Sequence, residues 1–132
     1  MKHIVTVIVS FVLSVSFVAC KSEPSAGDIA AHAAKQYYDL LLQGKYDQYV
    51  DGQYQPERIP SSFREQLITN AKMFVGQQKE EHRGIRGVRI MNAKADTAHH
   101  VADVFLVFAY GDSTKEEVVV PMVERKGIWY LR

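Results

Sequence analysis

The chain reads as an α+β domain in which three N-terminal helices pack on a curled, four-stranded antiparallel sheet. Three observations predict this. Between Ile29 and Gln78 apolar residues recur three and four positions apart, the period of a helix that buries one face. From His82 onward the period shortens toward two and β-branched residues become dense, as half-buried strands require. The strand-like runs are separated by only a few residues, too few for the crossover that parallel neighbours need.

Ahead of the domain, residues 1–19 are expected to be a lipoprotein signal peptide. Residues 4–18 carry no charge, follow Lys2 and His3, and lead into Phe17-Val18-Ala19-Cys20. As a helix that run would span about 22 Å, short of the ~30 Å hydrocarbon core, so it reads as an export leader and not a permanent span. Cys20 is the only cysteine and follows a small residue, the order that bacterial lipoprotein processing uses, with Phe17 standing where Leu is usual. Residues 20–25 are then the lipidated cysteine and a polar tether, and residues 26–132 one domain. The expected location is the bacterial cell envelope, with acyl chains on Cys20 holding the protein to a membrane, facing periplasm or surface.

The leader holds one of the 16 Lys and Arg residues and none of the 15 Asp and Glu, so the remainder is neutral. No strong field steers it toward nucleic acid, which is excluded as a partner. With its one thiol lipidated, the domain has no disulfide framework, cysteine metal cluster or Cys nucleophile.

The elements follow in order. Ser25-Ala26-Gly27-Asp28 has capping-box spacing, and Ile29, Ala33, Tyr37, Leu40 and Leu41 form one apolar stripe closed by Gly44. Tyr46, Tyr49 and Val50 repeat the spacing in a short helix ended by Gly52. Residues 53–61, with Pro56 and Pro60, are a loop. Ser62-Phe63-Arg64-Glu65 has capping-box spacing again, and Phe63, Leu67, Ala71, Phe74, Val75 and Gln78 continue a third helix of about five turns. Strands are expected at 83–94, 98–110, 113–124 and 128–132. Gly111-Asp112 places glycine first in a two-residue hairpin loop, and Lys126-Gly127 offers a second tight turn. Gly84 and Gly87 suggest a bulge, and Pro121, lacking a ladder donor, places its strand at an edge or bulged there.

This order of helices and curled sheet resembles the nuclear-transport-factor-2-like superfamily, the cystatin-like cone fold. Locally, Tyr37-Tyr38 before Leu40-Leu41, Gly44-Lys45-Tyr46-Asp47, Phe63-Arg64-Glu65-Gln66-Leu67, and Tyr110-Gly111-Asp112 before Lys115-Glu116-Glu117 resemble small bacterial lipoproteins of unknown function. The resemblance covers roughly residues 29–132 and rests on turn, cap and packing patterns. The short hairpin that many members place after the second helix is hardly visible at residues 53–55.

Signatures of catalysis are weak. His99 and His100 are adjacent, so on a strand they would point to opposite faces and could not share an ion; they read as solvent or turn-proximal histidines. His99 and Asp103 would share a face but lie about 13 Å apart, and Asp28 with His32 reads as a helix-start pair, so no metal is expected. No Gly-x-Ser-x-Gly elbow, phosphate-cradling glycine loop or His-Glu-x-x-His helix occurs. Arg83, Arg86 and Arg89 with Lys79 and His82 form a basic patch that reads as a guarded strand edge. Relatives on this fold such as ketosteroid isomerases set an acid-base carboxylate beside a tyrosine, which the resemblance would assign to Asp39 or Asp103. Asp103, however, falls opposite the helix-facing register of Val104, Leu106, Phe108 and Tyr110. On the next strand that register holds Val118, Val120 and Met122, with Glu124 as the one charge expected in the series.

The function expected is a non-catalytic binding or assembly module, anchored by lipid on Cys20 and needing no cofactor. The alternatives are a small cavity enzyme of isomerase or dehydratase type, or an accessory subunit of a larger cell-surface system. Tyr38, Tyr49, Phe74, Phe108 and Tyr110 are the residues expected to line a cavity for a small apolar ligand. The outward registers hold Phe105, Val107, Val119 and Val123, with Val101, Ala109 and Pro121, where an exposed sheet face is normally polar. They are the expected interface with a second copy, as a homodimer, or with a protein partner.

Overall fold

The computed structural model describes residues 23–132, so the leader and Cys20 lie outside the described residues. Three helices, α1 (Ala26–Leu42), α2 (Tyr46–Asp51) and α3 (Ser61–His82), precede four strands, β1 (Ile85–Asp96), β2 (Val101–Tyr110), β3 (Lys115–Arg125) and β4 (Ile128–Leu131). The strands pair antiparallel in chain order as one sheet, the meander that short connections predict.

The capping box at the start of α1 is present. Ser25 Oγ accepts from the Asp28 N–H at 3.1 Å, and Asp28 Oδ2 accepts from the Ser25 N–H at 3.3 Å. At the other end the Lys45 N–H donates to the Leu40 carbonyl and the Gly44 N–H to that of Leu41. This paired arrangement needs a left-handed residue, and Gly44 supplies it at φ +78°. Gly52 ends α2 for a different reason. Its φ of −78° suits any residue, but the Tyr37 ring occupies the place a Cβ would take.

The box expected at Ser62 does not form. The Phe63 and Arg64 N–H groups both donate to the Pro60 carbonyl, so α3 starts at Ser61 with Pro60 as a cap that has no side-chain bond. Ser62 is already inside the helix, where its hydroxyl cannot act as the cap.

The core lies between α1 and the sheet. Ala30, Ala31 and Ala34 are small enough to bring the helix close to Val104, Leu106, Phe108, Val120 and Met122, all buried. The helix-facing registers predicted for β2 and β3 are therefore the ones observed. α3 is packed more thinly: Ala71 is its one fully buried residue, and Phe63 and Met73 are exposed. A two-pronged bond from Arg64 to Asp51, at 3.1 and 3.2 Å, ties it to α2.

Sheet irregularities depart from expectation in three places. β1 slips register between Ile85 and Gly87, as the glycines suggested, but again between Ile90 and Asn92, where no glycine stands. β2 starts at Val101, because residues 97–100 form a turn that holds His99 and His100. The hairpin after β2 spans residues 111–114 and its left-handed residue is Ser113, at φ +71°. Gly111 is needed there because a Cβ would strike the Arg83 carbonyl. Lys126 and Gly127, at φ +53° and +80°, do make the predicted two-residue turn.

Pro121 lies on a strand with neighbours on both sides, yet β4 pairs with β3 only from Met122 to Arg125. The Arg132 N–H donates to the Pro121 carbonyl at 3.0 Å, and proline cannot return a bond. The second flank of β3 is thus an edge from Pro121 backward. In place of a hairpin after α2, Gln53 makes one parallel bridge to Leu131.

Candidate functional site

A row of rings crosses the helix-facing side of the sheet. Tyr49 meets Tyr38 edge-on at 5.7 Å between centroids, Tyr38 meets Phe108 at 5.3 Å, Phe108 meets Tyr110 at 6.5 Å, and Tyr110 stacks on His82 at 4.1 Å. Four elements supply it: α1 brings Tyr38, α2 brings Tyr49, one register of β2 brings Phe108 and Tyr110, and the last turn of α3 brings His82. Of the five residues expected to line a cavity, Tyr38 and Tyr49 reach an open groove of about 310 Å³ that Gln53, Val119, Pro121, Leu131 and Arg132 help to line. Phe108 and Tyr110, each 4% exposed, belong to the core, and Phe74 packs beside it. Burial raises the hydroxyl pKa of both Tyr38 and Tyr49, so both remain neutral hydrogen-bonding groups at physiological pH.

At the far end of the row Tyr110 donates to Glu116 Oε2 at 2.5 Å. Burial first, and then the bond to this carboxylate, push the Tyr110 hydroxyl up to about 12. Glu116 corrects the expectation that Glu124 is the one charge in its series. Two positions before Val118, it shares the helix-facing register, a parity the sequence already contained. Its carboxylate nevertheless stands at the exposed start of β3. Beside it His82 Nδ1 lies 3.0 Å from Asp112 Oδ2, and the Asp112 N–H donates to the His82 carbonyl, so the end of α3 is fastened to the hairpin.

The remaining candidates are apart. Asp39 is ion-paired to Lys35 at 2.6 Å on the flank of α1, and Asp103 is exposed on the outer face. His99 and His100 each hold their own carboxylate, Asp96 at 2.7 Å and Glu124 at 2.6 Å. The His99 ring holds the Asp96 carboxyl below its ordinary pKa; the Gly127 N–H and then His100 do the same for Glu124. Among the described residues no group of three or more His, Cys, Asp or Glu converges as metal ligands. Arg83, Arg86 and Arg89 are exposed around β1.

The outward side of the sheet carries the predicted apolar set. Val119 is 54% exposed and Ile128 51%; Phe105, Val107, Val101 and Ala109 are partly exposed. Val123, expected in this interface, is 3% exposed beside its cross-strand neighbours Val101 and Tyr130, so it is buried within the chain and offers no surface to a partner. Lys94 reaches over the Phe105 ring at 5.9 Å, and Arg125 over Tyr54 at 5.3 Å, so cations rim the patch.

No protein-family model matches the chain, and no curated protein matches it. Among solved structures, a candidate NTF2-like transpeptidase from Campylobacter jejuni, determined at 2.00 Å, is similar with a TM-score of 0.61 and 10% sequence identity. The match covers 76% of this chain and 94% of that one. Likeness at such low identity establishes architecture alone: the chain has an NTF2-like fold, three helices on a curled antiparallel sheet.

Proposed function

We propose that the domain is a non-catalytic docking module, tethered to a bacterial membrane by lipid on Cys20, that engages a second copy of itself through the outer face of its sheet. The observation that carries this reading is the outward register of the two central strands. Phe105, Val107 and Val119 stand where a solvated antiparallel sheet would alternate to polar residues. Contiguous apolar surface larger than a few hundred Å² is uncommon on a monomer and marks interfaces. A stable dimer needs about 800 Å² per partner, a size that a face spanning three long strands can provide. Sedimentation of the full chain in detergent tests it: the wild type should be dimeric, and Phe105→Glu with Val107→Lys should give a folded monomer. A wild type that stays monomeric at high concentration, with no specific partner recovered by cross-linking at residue 119, would refute it.

One observation favours the alternative of a small cavity enzyme, namely the Tyr110 hydroxyl bonded to Glu116. A phenol held protonated beside a carboxylate can polarise a carbonyl oxygen once its one O–H turns from the carboxylate to the substrate, which leaves the carboxylate free to accept a proton. Turnover of a ketone or enol substrate that Glu116→Gln abolishes would support it over the docking module.

A further inference from the structure

β3 has one flank that is unpaired among the described residues over positions 115–119. The Pro121 carbonyl faces Arg132, on the side where β4 lies. Backbone groups two residues apart on a strand point the same way, so the N–H and C=O of Glu117 and Val119 also face outward on that flank. β4 pairs no further along β3 than Met122, and no loop of the described residues bonds to Glu117 or Val119. The groove containing the Tyr38 and Tyr49 rings opens beside this edge, with Val119, Val120 and Pro121 in its wall.

We propose that residues 115–119 take an extended peptide as an added strand, seating one apolar side chain in the groove at Tyr38 and Tyr49 and one basic side chain beside Glu117. The requirement for a peptide comes from the vacant groups themselves. Donors and acceptors repeat along the edge every second residue, about 6.8 Å apart, a spacing another backbone reproduces. Side-chain preference follows from the pleat. Residues of the added strand that point to the helix side meet the tyrosine rings, and those pointing outward meet Glu117, where an opposite charge is favourable. A second copy is a poorer occupant, because the fullest antiparallel overlap of two such edges pivots on Glu117 and sets it against its own like charge.

This edge adjoins the outer face and shares Val119 with it, by backbone here and by side chain there, and the experiment keeps the two apart. The probe is a hexapeptide of alternating Val and Lys, capped at both ends, added to the full chain in detergent micelles while backbone amide exchange is followed by NMR. With the peptide at about ten times its dissociation constant, exchange at Glu117 and Val119 should slow about tenfold, and Phe105→Glu should leave that slowing unchanged. Val119→Pro, which removes a donor, should abolish it. Glu117→Lys keeps every backbone group and should weaken binding roughly fivefold at low salt. A peptide N-methylated at alternate residues keeps its side chains and should not bind. Unchanged exchange, equal binding of the N-methylated peptide, or protection that appears without peptide and grows with protein concentration would each overturn the proposal.

Discussion

Replacing Gly52 with alanine should destabilise the fold by an amount that disappears when Tyr37 is removed. The added methyl would overlap Tyr37 Cδ1 and Cε1, and neither party can step aside cheaply. The ring is pinned by its hydroxyl, which donates to the Trp129 carbonyl at 2.7 Å. The glycine is pinned by its carbonyl, which accepts from the Leu131 N–H at 2.8 Å, and by its N–H, which donates to Gln48. Forcing a methyl into such a contact costs about 1–3 kcal/mol, and displacing the tyrosine hydroxyl from its acceptor adds about 1 kcal/mol. Against this, alanine restricts the unfolded chain, a gain of about 0.4–1 kcal/mol where the backbone already suits it, as φ −78° does. The net loss should be about 1–3.5 kcal/mol. In a Tyr37→Ala background the same substitution meets no ring, and should be neutral or stabilising by up to about 1 kcal/mol. Urea unfolding of the four proteins of this cycle gives the coupling directly. A loss below about 0.5 kcal/mol in the single variant, or an equal loss in both backgrounds, would refute the steric account, since the measured value would then lie within surface-substitution noise.

Gly44→Ala should cost about 1 kcal/mol for a different reason, backbone strain at φ +78° with nothing nearby to clash; Gly44→Asn should recover part of it in the same urea assay. The Thr114 hydroxyl and N–H, and then His82, hold the Asp112 carboxyl at about 2. A carboxylate whose folded pKa lies below its unfolded value of about 3.9 stabilises the fold above that value and loses the contribution as pH falls toward 2. Urea midpoints measured from pH 5 to pH 2 should therefore fall, and fall less steeply in Thr114→Ala; parallel profiles would count against the assignment. Cys20→Ala should release the protein from membranes or stall its processing, because two or more acyl chains hold a protein where one does not. Fractionation with intact-mass measurement checks this, and an unmodified wild-type product would contradict it.

Local rules made most of the architecture legible. The Ser25–Asp28 box, the Gly44 stop and the Lys126-Gly127 turn each depend on residues a few positions apart, so their sequence spacing is their geometry. The parity of β2 likewise assigned both of its faces, because a strand admits one alternation. Where expectation failed, the deciding atom came from far along the chain or from a neighbour that outcompeted it. The Pro60 carbonyl captured the two N–H groups that the Ser62 box would have organised. The Arg83 carbonyl, not the hairpin's twist, fixes glycine at position 111, and Tyr37, not helix termination, fixes it at position 52.

The same division separates what was readable in the candidate surfaces. Phe105, Val107 and Val119 fall on the outward register by parity alone, so an unpartnered apolar face could be inferred before any coordinates. Glu116 was equally readable, two residues before Val118, yet its meaning depends on Tyr110, which only the pairing of β2 with β3 brings to 2.5 Å. The open edge of β3 was half visible. Proline at position 121 signals a missing donor, but a missing donor alone is compatible with a bulge, a barrel seam or an outer strand. Choosing among them required the extent of β4, which pairs with β3 from the Lys126-Gly127 turn only as far as Met122. That extent is a matter of pairing between strands. A sheet whose last strand covers only one end of its neighbour leaves the other end, among the described residues, with strand geometry, unmet backbone hydrogen bonds and adjacent tyrosines, and those three properties together are what the proposed peptide would use.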